Sequence, residues 1–332
     1  MRCIALAQAW QDHGGKVTFI SHCESTALRE RIIEEGFSFI PIEHPHPHPD
    51  DLSQTINYVQ HLSPFPFPLS HAWLVLDGYH FTPDYQKAIR DAGIRLLIID
   101  DMNHLPHYHA DILLNQNIHA PELNYSCDED TIHLLGTRYV LLRREFLKYK
   151  DFKRTIPKKA KNILVTLGGA DADNVTLRVI AALNLIEDAD IEVKVVVGPA
   201  NPNIESLRRE LALSPFPFHL LQSVNNMPEL MAWADVAVSA GGSTCWEMAF
   251  LVLPNMILYI AENQRPIAEK LHETGAALSL GWGQKLSINA IAENLVPLLV
   301  SQERRNGYSR RSREIVDGRG PERLLHEMFN AS

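Results

Sequence analysis

The chain has 332 residues, 45% of them hydrophobic, with 31 Lys plus Arg against 40 Asp plus Glu and a formal charge of −9. This composition excludes disordered, collagenous and coiled-coil classes and predicts one large or two smaller domains with buried cores. No basic block is longer than Lys158-Lys159 or Arg310-Arg311, so the concentrated cationic face that nucleic acid requires is not expected. No apolar run reaches the roughly 18 residues of a membrane span, and mean hydropathy is −0.13. Cys3, Cys23, Cys127 and Cys245 lack C-x-x-C spacing. A soluble, cytoplasmic protein without a zinc ribbon or disulfide scaffold is therefore expected.

Met1 opens into the helix-forming run Arg2 to Trp10, which stops at His13-Gly14-Gly15 and does not read as a signal sequence. Val17 to Ile20 predicts a strand, Thr26 to Glu35 a helix closed by Gly36, and Phe37 to Ile40 another strand. Trp73 to Asp77 is a continuous apolar run ending in a carboxylate. After the helical stretch Pro83 to Ala92, Arg95 to Asp101 repeats that pattern. Apolar runs separated by helices indicate a parallel sheet covered on both faces, hence an α/β class.

The polar, basic stretch from Lys148 to Lys161 breaks this rhythm and reads as a linker between a first lobe, 1–150, and a second, 151–332. The second series predicts strands at Ile163–Leu167, Ile191–Val197, Val236–Val238 and Asn255–Ile260. Helices are expected at Asn174–Ile186 and Ile204–Leu211, and from about Ser243 and Gln264. The charged segment Glu303 to Phe329 is helix-compatible and could cross back over the first lobe. Two proline-rich patches, Pro41 to Pro49 with His44, His46 and His48, and Pro64 to Pro68, read as loops. Alternating histidines on one extended strand do not converge on a single ion without a partner segment.

The chemistry concentrates in Ser239 to Glu247, after a strand and opening a helix. Gly241 and Gly242 let the backbone approach a ligand, and the amides at the helix start suit a diphosphate. Glu247, one turn further in, could accept both hydroxyls of a ribose. The same residues also fit a capping box, Thr244-x-x-Glu247, so local sequence leaves both readings open. Two further loops, Gly168 to Asn174 and Glu262 to Pro266, follow strands of the same sheet. A glycine turn with Asp173 or Asn174 as helix cap is expected at the former. Three such loops on one carboxyl edge favour a nucleotide.

Together with Leu76-Asp77-Gly78-Tyr79, Leu97-Ile98-Ile99-Asp100-Asp101, Asp111 to Asn117, Leu135 to Arg143, Leu167 to Asp171, Ala240 to Glu247, Asn263 to Ala268 and Val316 to Gly320, these segments resemble the UDP-2,4-diacetamido-2,4,6-trideoxy-β-L-altropyranose hydrolases of pseudaminic acid biosynthesis. The resemblance implies a GT-B fold, two facing Rossmann-like lobes with parallel sheets and a C-terminal helix crossing back. It implies a UDP-sugar as the substrate, with Gly241, Gly242 and Ser243 at the diphosphate, Glu247 at the ribose, and Gly168, Gly169, Thr244, Asn263 and Gln264 around the nucleotide-sugar. Asp77 and Tyr79 would approach the sugar. UDP leaves as a stable dianion, so amide donors and a general base suffice, with no metal or other cofactor and a monomer expected. The family's opening G-x-G-H-x-x-R-C is matched here only from Met1-Arg2-Cys3. The resemblance thus implies that the general-base histidine and first strand have no counterpart and that apolar surface on neighbouring strands is uncovered. His22 is the nearby histidine considered as a substitute. The Gly-Gly-Ser and Glu247 element is shared with the wider GT-B glycosyltransferases, so a transferase, or a UDP-sugar binder without turnover, stands as the alternative.

Overall fold

The computed structural model of the chain describes residues 1–61, 72–169, 171–186, 190–198 and 201–331. The Pro64 to Pro68 patch and Ala170 lie outside the described residues. The chain divides into two compact units, Met1–Arg144 with the segment from Arg319 onward, and Glu145–Gly318.

Unit 1 runs α1 (Arg2–Asp12), β1 (Thr18–Ser21), α2 (Thr26–Glu34), β2 (Ser38–Pro41), α3 (Asp51–His61), β3 (Trp73–Asp77), α4 (Pro83–Asp91), β4 (Arg95–Ile99), β5 (Ile112–Asn115) and β6 (Ile132–Leu135). Local signals set the helix ends. Ser25 and Thr82 accept the amides of Leu28 and Tyr85 at the starts of α2 and α4. Gly36 and Gly93, at φ +83 and +75, supply the left-handed residue beyond their ends. The strands form two parallel sheets, β1-β2 and β3-β4-β5-β6. β1 is partly buried along its whole length, as are the first four residues of β3 except Leu76, whereas β5 is wholly buried.

Helix α1 explains how unit 1 coheres. Its Ala5 and Leu6 pack with Leu97, Ile99, Ile112 and Leu114 on one face of the larger sheet, alongside Leu324, Leu325 and Met328 from the end of the chain. Ile4 and Ala7 pack instead with Ile32 and Phe37 beside the smaller sheet. The opposite face of β4 and β5 is covered by Tyr85 and Ile89 of α4. Burial on both faces is what the continuous apolar runs predict.

Unit 2 follows α5 (Arg144–Leu147), which straddles the division. It comprises β7 (Asn162–Thr166), α6 (Val175–Leu183), β8 (Glu192–Val197), α7 (Ile204–Leu211), β9 (Phe218–Gln222), α8 (Met227–Trp233), β10 (Val236–Ser239), α9 (Thr244–Phe250), β11 (Asn255–Tyr259), α10 (Arg265–Glu273), β12 (Leu278–Trp282), α11 (Ile288–Val300) and α12 (Gln302–Arg313). All six strands are parallel, in the order β12-β11-β10-β7-β8-β9. The chain therefore winds outward in opposite directions from β7 and β10.

Two boundaries differ from the sequence reading. The Lys148 to Lys161 stretch is not a free linker: the Arg154 guanidinium donates to the carbonyls of Met231, Ala234 and Leu251. The fully buried Arg305 donates to Leu298, Leu299, Pro157 and Lys158. These bonds fasten the stretch to unit 2 and move the division back to Arg144/Glu145. The Glu303 to Phe329 segment is two helices, because Gly318 at φ +76 breaks it. Helix α12 stays in unit 2, while α13 (Gly320–Asn330) returns to unit 1, where Phe329 stacks on Trp10 with centroids 5.3 Å apart.

Leu113 is inaccessible at the centre of β5. Leu113→Ala is expected to lower unfolding free energy by about 2–5 kcal/mol, read from a denaturant titration, because tight neighbours on both sheet faces limit collapse of the cavity.

Candidate nucleotide-sugar site

In unit 2 the strand order reverses between β7 and β10, the switch point at which doubly wound sheets open a crevice beyond their carboxyl ends. The loop after β7 carries Gly168 and Gly169, and the loop after β10 carries Ala240 to Ser243. Gly168, at φ +92, requires glycine. Leu167, Gly168, Gly169, Asp171, Ala172, Asp173, Ile260, Ala261 and Gln264 surround a concavity of about 280 Å³. Its two walls are the loop after β7 and the turn after β11.

The second and third loops pack against each other, and the first is closed by its own bonds. A Cβ on Gly241 would lie 2.7 Å from the Gln264 carbonyl oxygen, so the close approach of the second and third loops depends on glycine. Gln264 turns its Oε1 back to accept the Ile260 amide at 2.9 Å. Asn263 lies in the same short turn, Glu262–Gln264. Asp171 closes the first loop: its two carboxylate oxygens accept the amides of Val175 and Thr176, each at 2.8 Å. Asp171, rather than Asp173 or Asn174, therefore caps α6. Asn174 sits in the left-handed region without a side-chain cap bond, and Asp173 accepts from Gln284 at 2.7 Å.

The capping box at Thr244 and Glu247 does not form in the manner expected. Thr244 is already the first helical residue, and Ser243, the N-cap, makes no side-chain cap bond. Ser243 is exposed, and Gly242, Thr244 and Glu247 are partly exposed. Cys245, by contrast, is buried and donates to the Ala240 carbonyl at 3.2 Å. Burial pushes its thiol up to about 12, so this cysteine packs rather than reacts.

Unit 1 gathers its own polar network at the carboxyl edge of β3, β4 and β5. The Arg2 guanidinium forks onto Asp77, at 3.0 Å to Oδ2 and 2.6 Å to Oδ1, and its Nη1 reaches both oxygens of Asp101 at 2.7 and 2.8 Å. Tyr79 donates its hydroxyl to Asp101 at 2.9 Å, Asn117 donates to the same carboxylate at 2.7 Å, and the Cys3 thiol donates to Asp77 at 2.9 Å. Burial works against charge on Asp77, but the Arg2 hydrogen bonds and positive charge outweigh it and hold the carboxyl below its ordinary range. Burial, with Asp77 adjacent, pushes the Cys3 thiol up.

Asp77 and Tyr79 thus meet through Arg2 and Asp101, which sequence reasoning left without a role. The signal was present in the strand-end carboxylate of Asp77 repeated at Asp100-Asp101. His104 was also missed: its Nε2 lies 2.7 Å from the Tyr79 carbonyl, and its Nδ1 lies 3.4 Å from Asp100. His22 lies 3.1 Å from the Ile42 carbonyl through Nδ1.

Among solved structures, MurG of Acinetobacter baumannii superposes with a TM-score of 0.68 at 13% identity, covering 99% of this chain and 95% of that one. The fold is GT-B. In this GT-B chain, residues 162–316 match the glycosyltransferase family 28 C-terminal domain, the stretch that begins at β7 and ends short of α13. The chain is 31% identical to the spore coat polysaccharide biosynthesis protein SpsG of Bacillus subtilis (strain 168) over 186 residues, 56% of this chain and 54% of that protein. It is 24% identical over 234 residues to the pseudaminic acid cytidylyltransferase and UDP-2,4-diacetamido-2,4,6-trideoxy-β-L-altropyranose hydrolase of Helicobacter pylori, 69% of this chain and 41% of that protein. The GT-B chain therefore spans about half or less of the length of these relatives. No helix among the described residues is long and apolar enough to cross a membrane.

Because Asp77 is ionised more readily in the folded state, its pairing stabilises above its unfolded pKa of about 4 and is lost as pH falls through the lower folded value. Asp77→Asn is expected to cost about 1.5–3 kcal/mol at pH 7. The gap from wild type should close when unfolding is followed down to strongly acid pH.

Proposed function

We propose that the chain acts on a UDP-sugar, with UDP held at the switch point of unit 2. The observation that carries this reading is that the loops of Gly168-Gly169, Gly241-Gly242 and Asn263-Gln264 all leave the carboxyl edge of one sheet, where Gly168, Gly169 and Gln264 line a concavity and Gly241 packs against Gln264. The match of residues 162–316 to the glycosyltransferase family 28 C-terminal domain supports it. Amides of Gly241, Gly242 and Ser243 would face the diphosphate, and Glu247, partly exposed in the first turn of α9, would accept from the ribose hydroxyls. Gly168, Gly169 and Gln264 would line the nucleotide-sugar, with Asn263 and Thr244 beside them.

The reaction proposed is hydrolysis of the glycosyl–phosphate bond of UDP-2,4-diacetamido-2,4,6-trideoxy-β-L-altropyranose, giving UDP and the free sugar. Water attacks the anomeric carbon and gives up a proton to solvent, the carbon–oxygen bond to the β-phosphate breaks, and UDP carries away the electron pair. Amide donors stabilise the charge developing on the leaving group. By the resemblance, Asp77 and Tyr79 would be the sugar's polar partners. Asp77, kept ionised by Arg2, is a weak base at neutral pH. Its part is to orient hydroxyl or amide donors and favour positive charge on the sugar ring, with Tyr79 fixed beside it through Asp101. The 24% identity to the Helicobacter pylori protein with the hydrolase name supports hydrolysis. The glycosyltransferase description of the matched domain supports a second reading, transfer of the sugar to an acceptor alcohol.

Calorimetry with UDP and assay of UDP release from the UDP-sugar distinguish these readings. Release without any acceptor is expected for the hydrolase. Release only with an alcohol present would establish transfer, and UDP binding with neither would leave a nucleotide-sugar binder. Absence of UDP binding to the folded chain would overturn the reading as a whole. Glu247→Ala is expected to weaken UDP by about 1.5–3 kcal/mol if the charged hydrogen bonds to ribose are made. An unchanged affinity would return Glu247 to a structural role in α9. Gly241→Val should also weaken UDP, since its side chain collides with the Gln264 backbone.

A further inference from the structure

A second polar cluster lies at the amino edge of the larger sheet of unit 1, the opposite end from Asp77 and Asp101. The connection from β4 to β5 and the connection from β5 to β6 run side by side there, joined by the parallel bridge between Tyr108 and Cys127. The Tyr108 amide donates to the Ser126 carbonyl at 2.8 Å, and the Asp128 amide donates to the Tyr108 carbonyl at 3.3 Å. In extended chain, alternate side chains leave on opposite faces. Tyr108 accordingly enters the core, at 1% exposure, while His107 and His109 emerge together with Ser126 and Asp128.

Their donor atoms converge. His107 Nε2 lies 3.0 Å from Asp128 Oδ1, and His109 Nδ1 lies 3.0 Å from the same oxygen. The three side chains offer one ligand atom each, all within 4.8 Å of one another. We propose that His107, His109 and Asp128 form a binding site for one divalent transition-metal ion, with zinc as the representative. This proposal is independent of the nucleotide-sugar reading.

Four features support it. Two imidazoles and one carboxylate are the donor types that borderline divalent ions prefer, and three protein ligands leave a position for water. The two nitrogen–oxygen separations, 3.0 Å each, are close to the roughly 3.3 Å between ligands of a tetrahedral ion with bonds near 2.0 Å. The remaining nitrogen of His107, Nδ1, lies 2.8 Å from Ser126 Oγ, so a tautomer with Nδ1–H donating to Ser126 would present Nε2 to the ion. Finally, Arg90 Nη1 binds Asp128 Oδ2 at 2.7 Å, which orients the carboxylate and leaves Oδ1 for the metal.

The Arg90 charge does not oppose a cation, because it is over-neutralised. Arg90 also pairs with Asp130 at 2.7 Å and Asp111 at 3.3 Å. One guanidinium among Asp111, Asp128 and Asp130 leaves a net charge of −2 when both imidazoles are neutral, and a divalent ion would cancel it. Bound there, the ion would link the two connections below β5 and β6.

The test uses the full chain, stripped with chelator and titrated with Zn²⁺ by calorimetry, with thermal unfolding and Co²⁺ absorption as further readouts. One strongly bound ion per chain, a raised Tm and visible Co²⁺ bands are expected. His107→Gln and His109→Gln should each weaken binding at least about tenfold, and Ser126→Ala, which removes no ligand, by about tenfold. A His44→Gln/His48→Gln variant controls for the stacked pair on the proline-rich loop and should bind as wild type does. The proposal is overturned if wild type takes up no Zn²⁺, if the folded His107→Gln/His109→Gln variant binds unchanged, or if binding is lost in the His44/His48 control.

Discussion

A parallel sheet buried on both faces has no room for polar chemistry along its strands, and both units obey that constraint. Leu113 and Leu114 in β5 and Ile163 to Val165 in β7 are wholly inaccessible. In these central strands, charged and conformationally special residues are displaced to the ends. In unit 2 this puts glycine loops at the reversal of strand order. In unit 1 it puts the Asp77 and Asp101 carboxylates at one edge and Asp111, Asp128 and Asp130 at the other. Each edge carries an arginine that orders its carboxylates, Arg2 at one and Arg90 at the other.

Those arginines do different work. Arg2 divides its guanidinium between two carboxylates, so the network is fixed in geometry and locked in charge. It suits orientation of a ligand better than proton transfer. Arg90 faces three carboxylates and leaves negative charge uncompensated beside two imidazoles. The balance of charges, rather than the number of ion pairs, separates a closed network from one that can still accept a cation.

Much of the architecture was legible because apolar runs, capping residues and glycine stops are local signals. The strands at Trp73–Asp77 and Arg95–Ile99, the helix Ile204–Leu211 and the loops at Gly168 and Gly241 are such cases. Contacts distant in sequence were not legible. Nothing near Arg154 announces that three carbonyls more than seventy residues away will hold it, so a basic stretch resembled a linker. Thr244 and Glu247 have the spacing of a capping box, but the helix begins one residue earlier than that motif needs. His107-Tyr108-His109 carries no metal signal in the sequence alone, because alternation alone does not bring two imidazoles to one ion. The partner segment from Ser126 to Asp128 becomes visible only when the two connections are seen paired. The proline-rich histidines were read as a solvated loop, yet His46 is largely enclosed, 2.5 Å from the buried Asp51.

The position of α1 between the two sheets of unit 1 also bears on how that unit opens. Its neighbouring residues Ile4 and Ala5 belong to separate apolar clusters, and among the described residues no backbone ladder joins β1 to β3. The layer formed by β1, α2 and β2 is therefore attached through side chains, chiefly those of α1 with Arg144 reaching Glu35 at 3.8 Å, whereas β4 and β5 are held by ladders on both sides. Such a layer can detach as a cooperative unit while the larger sheet persists. Amide hydrogens of Thr18 to Ser21 would then exchange through partial opening, and those of Ile112 to Asn115 only when the whole unit unfolds.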